Sequence, residues 1–203
     1  MKPAIFIVMV LAALLAGCGD KPPPEPVQSD RPPALTVAFG EQTFAFEPTY
    51  AAFATLRRNL ILTESAIANR PERVPATVHR IYLANYDLQL TDPAQQDYRR
   101  IDADGQLRVE IQIEADRDAP ADAPVRPGEY RPASEPFNRV SWIGIARYRN
   151  GKDAGTMLAG TQATGTVAIT SATPERITGE LDVSDADGRV RGRFAAQRLQ
   201  ERP

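Results

Sequence analysis

The 203-residue sequence has one cysteine, one histidine and one tryptophan. A lone cysteine excludes an intramolecular disulfide, the usual staple of small secreted domains. Cys18 and His79 are too few soft ligands for a zinc centre, so no metal and no cofactor are expected. No Gly-x-Ser-x-Gly elbow is present, and nothing in the sequence sets a nucleophile beside His79. Basic charge is also scarce: the net charge is -2, without the concentrated positive surface that nucleic acid requires. The one long apolar run, residues 4–16, is too short to cross a bilayer as a permanent helix. What remains is 42% hydrophobic and 25% charged, a composition that suits one globular domain.

The N-terminus carries the sharpest motif. A basic start at Lys2, the apolar run and small residues after it make a secretory signal. Leu15-Ala16-Gly17-Cys18 resembles the lipobox of bacterial lipoproteins. That resemblance implies cleavage after residue 17, a thioether-linked diacylglyceryl group on Cys18 and acylation of the new N-terminus. Several acyl chains anchor far more firmly than one, at about 0.8 kcal/mol per buried methylene. The resemblance also implies a periplasm-facing protein. Gly19 follows the cysteine, with Asp20 one place later, which favours the outer membrane over the inner. The plainer reading is an ordinary signal peptide with a chance cysteine.

Residues 18–34 read as a tether. Pro22, Pro23, Pro24, Pro26, Pro32 and Pro33 crowd a stretch with almost no apolar side chains, which favours extended polyproline II over a packed core. At ~3.1 Å per residue the tether reaches about 50 Å. It serves as a spacer that holds a domain off the lipid, or as a plain sorting tail. Three segments are thus expected: a signal peptide at 1–17, the lipidated cysteine and linker at 18–34, and a single domain at 35–203.

That domain reads as all-β, an antiparallel sandwich or alternatively a barrel. Leu107, Val109, Ile111 and Ile113 alternate with Arg108, Glu110, Gln112 and Glu114, the pattern of a strand with one face in water. Weaker alternation marks strands at 140–148, 165–170, 177–183 and 189–199. Strands 35–39 and 43–47 flank Gly40 as a hairpin. Residues 60–63 and 80–90 supply further strands, while 50–62 stays open between helix and strand. Asn150-Gly151, Asp104-Gly105 and Asp187-Gly188 are tight-turn dipeptides. Thr91-Asp92-Pro93 predicts a short helix through Tyr98, and 116–136, rich in proline, predicts a long exposed loop.

The last third of the chain resembles several uncharacterised bacterial lipoprotein families. Gly165-Thr-Val-Ala-Ile-Thr170, Ile177-Thr-Gly-Glu-Leu181 and Gly188-Arg-Val-Arg-Gly-Arg-Phe194 match their closing strands, with Pro127-Gly128-Glu129-Tyr130 upstream. The resemblance implies a β-sandwich and transfers no functional residue.

Chemistry is sparse. Asp102-Ala-Asp104-Gly105 and Asp185-Ala-Asp187-Gly188 repeat a tetrapeptide, but the calcium-loop positions around them hold Arg100 and Ile111, and Val183 and Phe194, which cannot ligate. Hairpin turns account for both. Arginine outnumbers lysine 21 to 3. Guanidinium groups grip anionic envelope polymers well, but a coding bias towards Arg, Ala and Pro is the simpler account of the count. Tyr82, Tyr86, Trp142, Tyr148 and Phe194 fit core or core-edge positions. The expected protein is a non-enzymatic binding or scaffolding module. Its partners are the membrane, through the lipid on Cys18, and an envelope protein or polymer. A lipocalin-like apolar carrier and a periplasmic inhibitor or immunity protein are the alternatives.

Overall fold

The structure is a computed structural model that describes residues 34–62, 72–133 and 135–199. Cys18 and the signal and linker segments before residue 34 lie outside the described residues. The described chain is all-β, as expected. Its strands are β1 (Leu35–Phe39), β2 (Gln42–Phe46), β3 (Tyr50–Leu62), β4 (Glu72–Ala84), β5 (Leu107–Glu114), β6 (Gly128–Tyr130), β7 (Arg139–Arg149), β8 (Lys152–Ala159), β9 (Thr164–Ala172), β10 (Arg176–Ser184) and β11 (Gly188–Arg198). One 3-10 turn, Gly160–Gln162, links β8 to β9.

All eleven strands hydrogen-bond into one sheet, in the order β6-β9-β10-β11-β3-β4-β5-β7-β8. The β1–β2 hairpin branches from β11. The β11–β3 pairing is parallel; the other named strand pairings are antiparallel. The strands on either side of the β11–β3 pairing form two wings that share one core, and the sheet is open rather than closed into a barrel. Leu35 and Val37 of β1, Ile81 and Leu83 of β4, the four apolar residues of β5, Ile143 and Ile145 of β7, and Leu181 and Phe194 of the other wing all belong to that core.

Local chemistry explains most of the elements. Asn150 and Gly151 both hold positive φ (52° and 76°), and Arg149 pairs directly with Lys152. This is the two-residue turn whose twist suits a hairpin. The 13-residue stretch 50–62 resolves as strand β3, paired along its whole length with β4. Pro75 is tolerated in β4 because β5 pairs only Val78–Ala84, so nothing requires an amide on that side of residue 75.

Four expectations need correction. The helix after Pro93 does not form. The Asp92 carboxylate accepts the Ala94 and Gln95 amides as an N-cap would, but Gln96 turns left-handed (φ 56°) and an Asp92–Asp97 bridge closes the loop instead. The 116–136 stretch is packed rather than fully exposed. Ala119, Ala123, Val125 and Tyr130 are buried, and β6 adds to the sheet beside β9. The β10–β11 hairpin does not turn on Asp187-Gly188 alone. Asp185 Oδ1 accepts the amides of Asp187 and Gly188, which widens the turn so that Ser184 pairs with Arg189. Finally, β5 is not half-solvated: Glu110, Gln112 and Glu114 are all buried.

Candidate binding face

The polar side of β5 is buried because loops cover it. Register places Arg80 opposite Gln112, Tyr82 opposite Glu110 and Ala84 opposite Arg108. On the far side of β5, Trp142 faces Gln112 and Arg139 faces Glu114. The segment 85–101 crosses this face and adds an apolar patch of its own, in which Tyr86, Leu88 and Leu90 pack with Tyr82 and Ala84.

Most polar groups on the face are held, although the buried Arg58 Nε finds no hydrogen-bond partner. Arg80 Nε donates to Gln112 Oε1 at 2.9 Å, Gln112 Nε2 donates to Ser141 Oγ at 2.9 Å, and the Arg80 guanidinium lies 5.5 Å from the centre of the Trp142 ring. Arg80 and the Tyr82 hydroxyl both donate to the Pro93 carbonyl, and Arg58 Nη2 donates to the Ala94 carbonyl. These three contacts seat residues 93–94 on the sheet. Further along, the Tyr98 hydroxyl donates to Glu110 Oε1 at 2.8 Å. Arg108 Nε lies 2.7 Å from that same oxygen, and the guanidinium stacks 4.2 Å from the Tyr98 ring centre. Burial and the Glu110 charge push the Tyr98 hydroxyl well above its ordinary range. For Arg108, burial works against the charged form, but Glu110 and the neighbouring tyrosines outweigh it and raise the group. Arg139 grips both oxygens of Glu114 at 2.8 and 3.3 Å. These contacts tie the loops to the polar side of β5.

Beside it lies an open cleft of about 1050 Å³. Its walls are Ala54–Leu56 of β3, Thr91–Ala94 of the seated loop, Pro174–Arg176 of the β9–β10 turn and Gln197–Leu199 at the end of β11. The cleft exists because β11 meets β3 only at Ala52 and Phe53. Among the described residues, no strand pairs with the rest of that β3 edge. An unpaired edge presents a row of backbone donors and acceptors.

The residues singled out in the sequence fall elsewhere. His79 is on the core side of β4, 2% exposed, with Nδ1 3.0 Å from Thr55 Oγ1. Burial lowers it to about 4, so the ring is neutral at pH 7. Asp102 pairs with Arg99, and Asp185 ties its own turn. Among the described residues, no cluster of three or more His, Cys, Asp or Glu side chains could hold a metal. Trp142 and Tyr82 do belong to the buried polar face, whereas Arg58, Arg80, Tyr98 and Glu110 escaped sequence reasoning. Strict alternation along β5 is the same whether the polar side meets water or a polar loop. No family model, curated protein or solved structure matches this chain.

Proposed function

We propose that the protein is a lipid-anchored, periplasm-facing envelope lipoprotein whose β domain is a non-enzymatic binding and scaffolding module. The observation that carries the binding half is the open cleft beside β3, where an extended segment of an envelope protein can add as a strand along Ala54–Leu56. Strand addition draws affinity from main-chain hydrogen bonds and specificity from the flanking side chains. The cleft suits that use because its floor is a rigid 13-residue strand and its rim a loop pinned by Arg58, Arg80 and Tyr82. The anchoring half rests on the lipobox at 15–18, and the proline-rich tether gives the domain reach. The interior of the sheet is filled by Ile81, Leu83, Ile111, Ile143 and Phe194, which speaks against an apolar carrier.

Photo-crosslinking in intact envelopes, with the anchor retained, tests this reading. A crosslinker at Leu56 should capture a discrete protein adduct, and one at the exposed Met157 of β8 should not. Equal labelling at the two sites, or none at Leu56, would overturn the cleft as the binding face.

A further inference from the structure

A second cleft, of about 380 Å³, lies between the tips of the β1–β2 and β7–β8 hairpins. It is lined by Phe39, Glu41, Gln42, Arg147, Arg149, Lys152 and Ala154. Arg147 and Arg149 are two apart on β7 and so share a face, and Lys152 is the direct cross-strand partner of Arg149. Three cations therefore occupy one side of one hairpin end. Like charges placed directly opposite each other destabilise a sheet.

Among the described residues, no carboxylate forms an ion pair with them. Arg147 Nη1 donates to Gln42 Oε1 at 3.0 Å, and Arg149 Nη1 donates to the same oxygen. Two guanidinium groups thus converge on a neutral amide. Glu41 lines the cleft but makes no ion pair with them, and none of the three cations has an ion pair among the described residues. Asp104 attracts Arg147 only through space, while burial and then the Arg149 charge push the Arg147 guanidinium below its usual range. The Arg147 guanidinium also rests 3.7 Å from the centre of the Phe44 ring, which fixes its direction. The result is a pre-oriented pair of planar forks with unspent donors and excess positive charge.

We propose that this cleft is a phosphate-binding site, with Arg147 and Arg149 as the bidentate grip and Lys152 as a third cation. Guanidinium forks match phosphate oxygens in geometry as well as charge. Either a lipid headgroup phosphate or a free phosphate ester presents the required chemistry. The site is built from the β1–β2 and β7–β8 hairpins alone and does not depend on the β3 cleft or on the anchor.

Inorganic phosphate titrated calorimetrically into the full chain, in neutral detergent micelles at low salt, reads the site. Wild type should bind, and Arg147→Gln with Arg149→Gln should weaken binding about tenfold or more, since charge-assisted hydrogen bonds are lost. Arg131→Gln, beside Glu129 at β6, should leave binding unchanged. Gln42→Glu gives an independent check. A carboxylate at that position should abolish phosphate binding and raise the melting temperature by roughly 1–4 °C. Doping the micelles with phosphatidylglycerol separates the sources: competition with phosphate identifies a lipid headgroup, and undisturbed phosphate binding identifies a free ester. Failure of wild type to bind either phosphate or the doped micelles would overturn the site. So would unchanged binding in the double arginine variant, or a Gln42→Glu variant that still binds phosphate.

Discussion

Gly179 of β10 sits directly opposite Phe194 of β11, and a Cβ built on Gly179 would meet the Phe194 ring at 2.7 Å and the Ala168 carbonyl oxygen at 2.4 Å. The aromatic ring occupies the space that a side chain at 179 would need. Phe194 is 2% exposed, so one of the larger core side chains is seated by the smallest residue across from it.

The pair yields a double-mutant test. Phe194→Ala should cost ~3–5 kcal/mol through lost transfer energy and the cavity. Gly179→Ala should cost ~1–3 kcal/mol through overpacking. Because they share the same space, Gly179→Ala combined with Phe194→Ala should cost less than the sum of the single effects in urea unfolding. Strict additivity would show that the ring and the missing side chain do not compete.

Glu110 should matter for stability although it lies on the polar side of its strand. Removing its charge leaves Arg108 largely buried beside Tyr98 without an anion. Glu110→Gln should therefore destabilise by roughly 3 kcal/mol at pH 7. Replacing the pair together, with Glu110→Leu and Arg108→Met, should cost less than Glu110→Gln alone. A Glu110→Gln variant within about 0.5 kcal/mol of wild type would mean that the loop leaves this face open to water.

His79 sets a pH dependence whose sign is fixed. Its folded value, about 4, lies below the ordinary value of 6.5, so the unfolded chain binds more protons between those limits. Stability contributed by the neutral ring is full above about pH 6.5 and is lost as pH falls towards 4. The loss amounts to a few kcal/mol. Comparing wild type with His79→Gln by denaturant unfolding from pH 7.5 to 4.5 isolates this group from the carboxylates. Parallel stability curves for the two proteins would contradict the burial of a neutral ring.

How much was legible in advance follows the physics of each element. Asn150-Gly151 announced its hairpin because two positive φ angles in succession demand such residues. The inward face of β5 was legible because apolar residues at every second position have one efficient use. The outward face was not, since Arg108, Glu110, Gln112 and Glu114 read identically whether water or other protein segments cover them. β8 escaped because Asp153, Ala154 and Gly155 carry no apolar alternation, and pairing with β7 alone makes that segment a strand. At the β10–β11 hairpin the faces came out as the alternation required, with Val183, Leu181 and Phe194 inward. The turn is wider than Asp187-Gly188 alone because Asp185 captured two amides, so Asp182 faces Arg191 in the register while its carboxylate pairs with Arg189. The candidate cleft was invisible, since it depends on where β11 leaves β3, a relation between distant segments.

The most direct test of the central claim is fatty-acid labelling of cells that express the full chain. With labelled palmitate, the wild-type protein should incorporate label and fractionate with envelope membranes. Cys18→Ala should lose the label and leave the acylated membrane pool. A Cys18→Ala protein that labels and fractionates like wild type would contradict the lipid-anchored module.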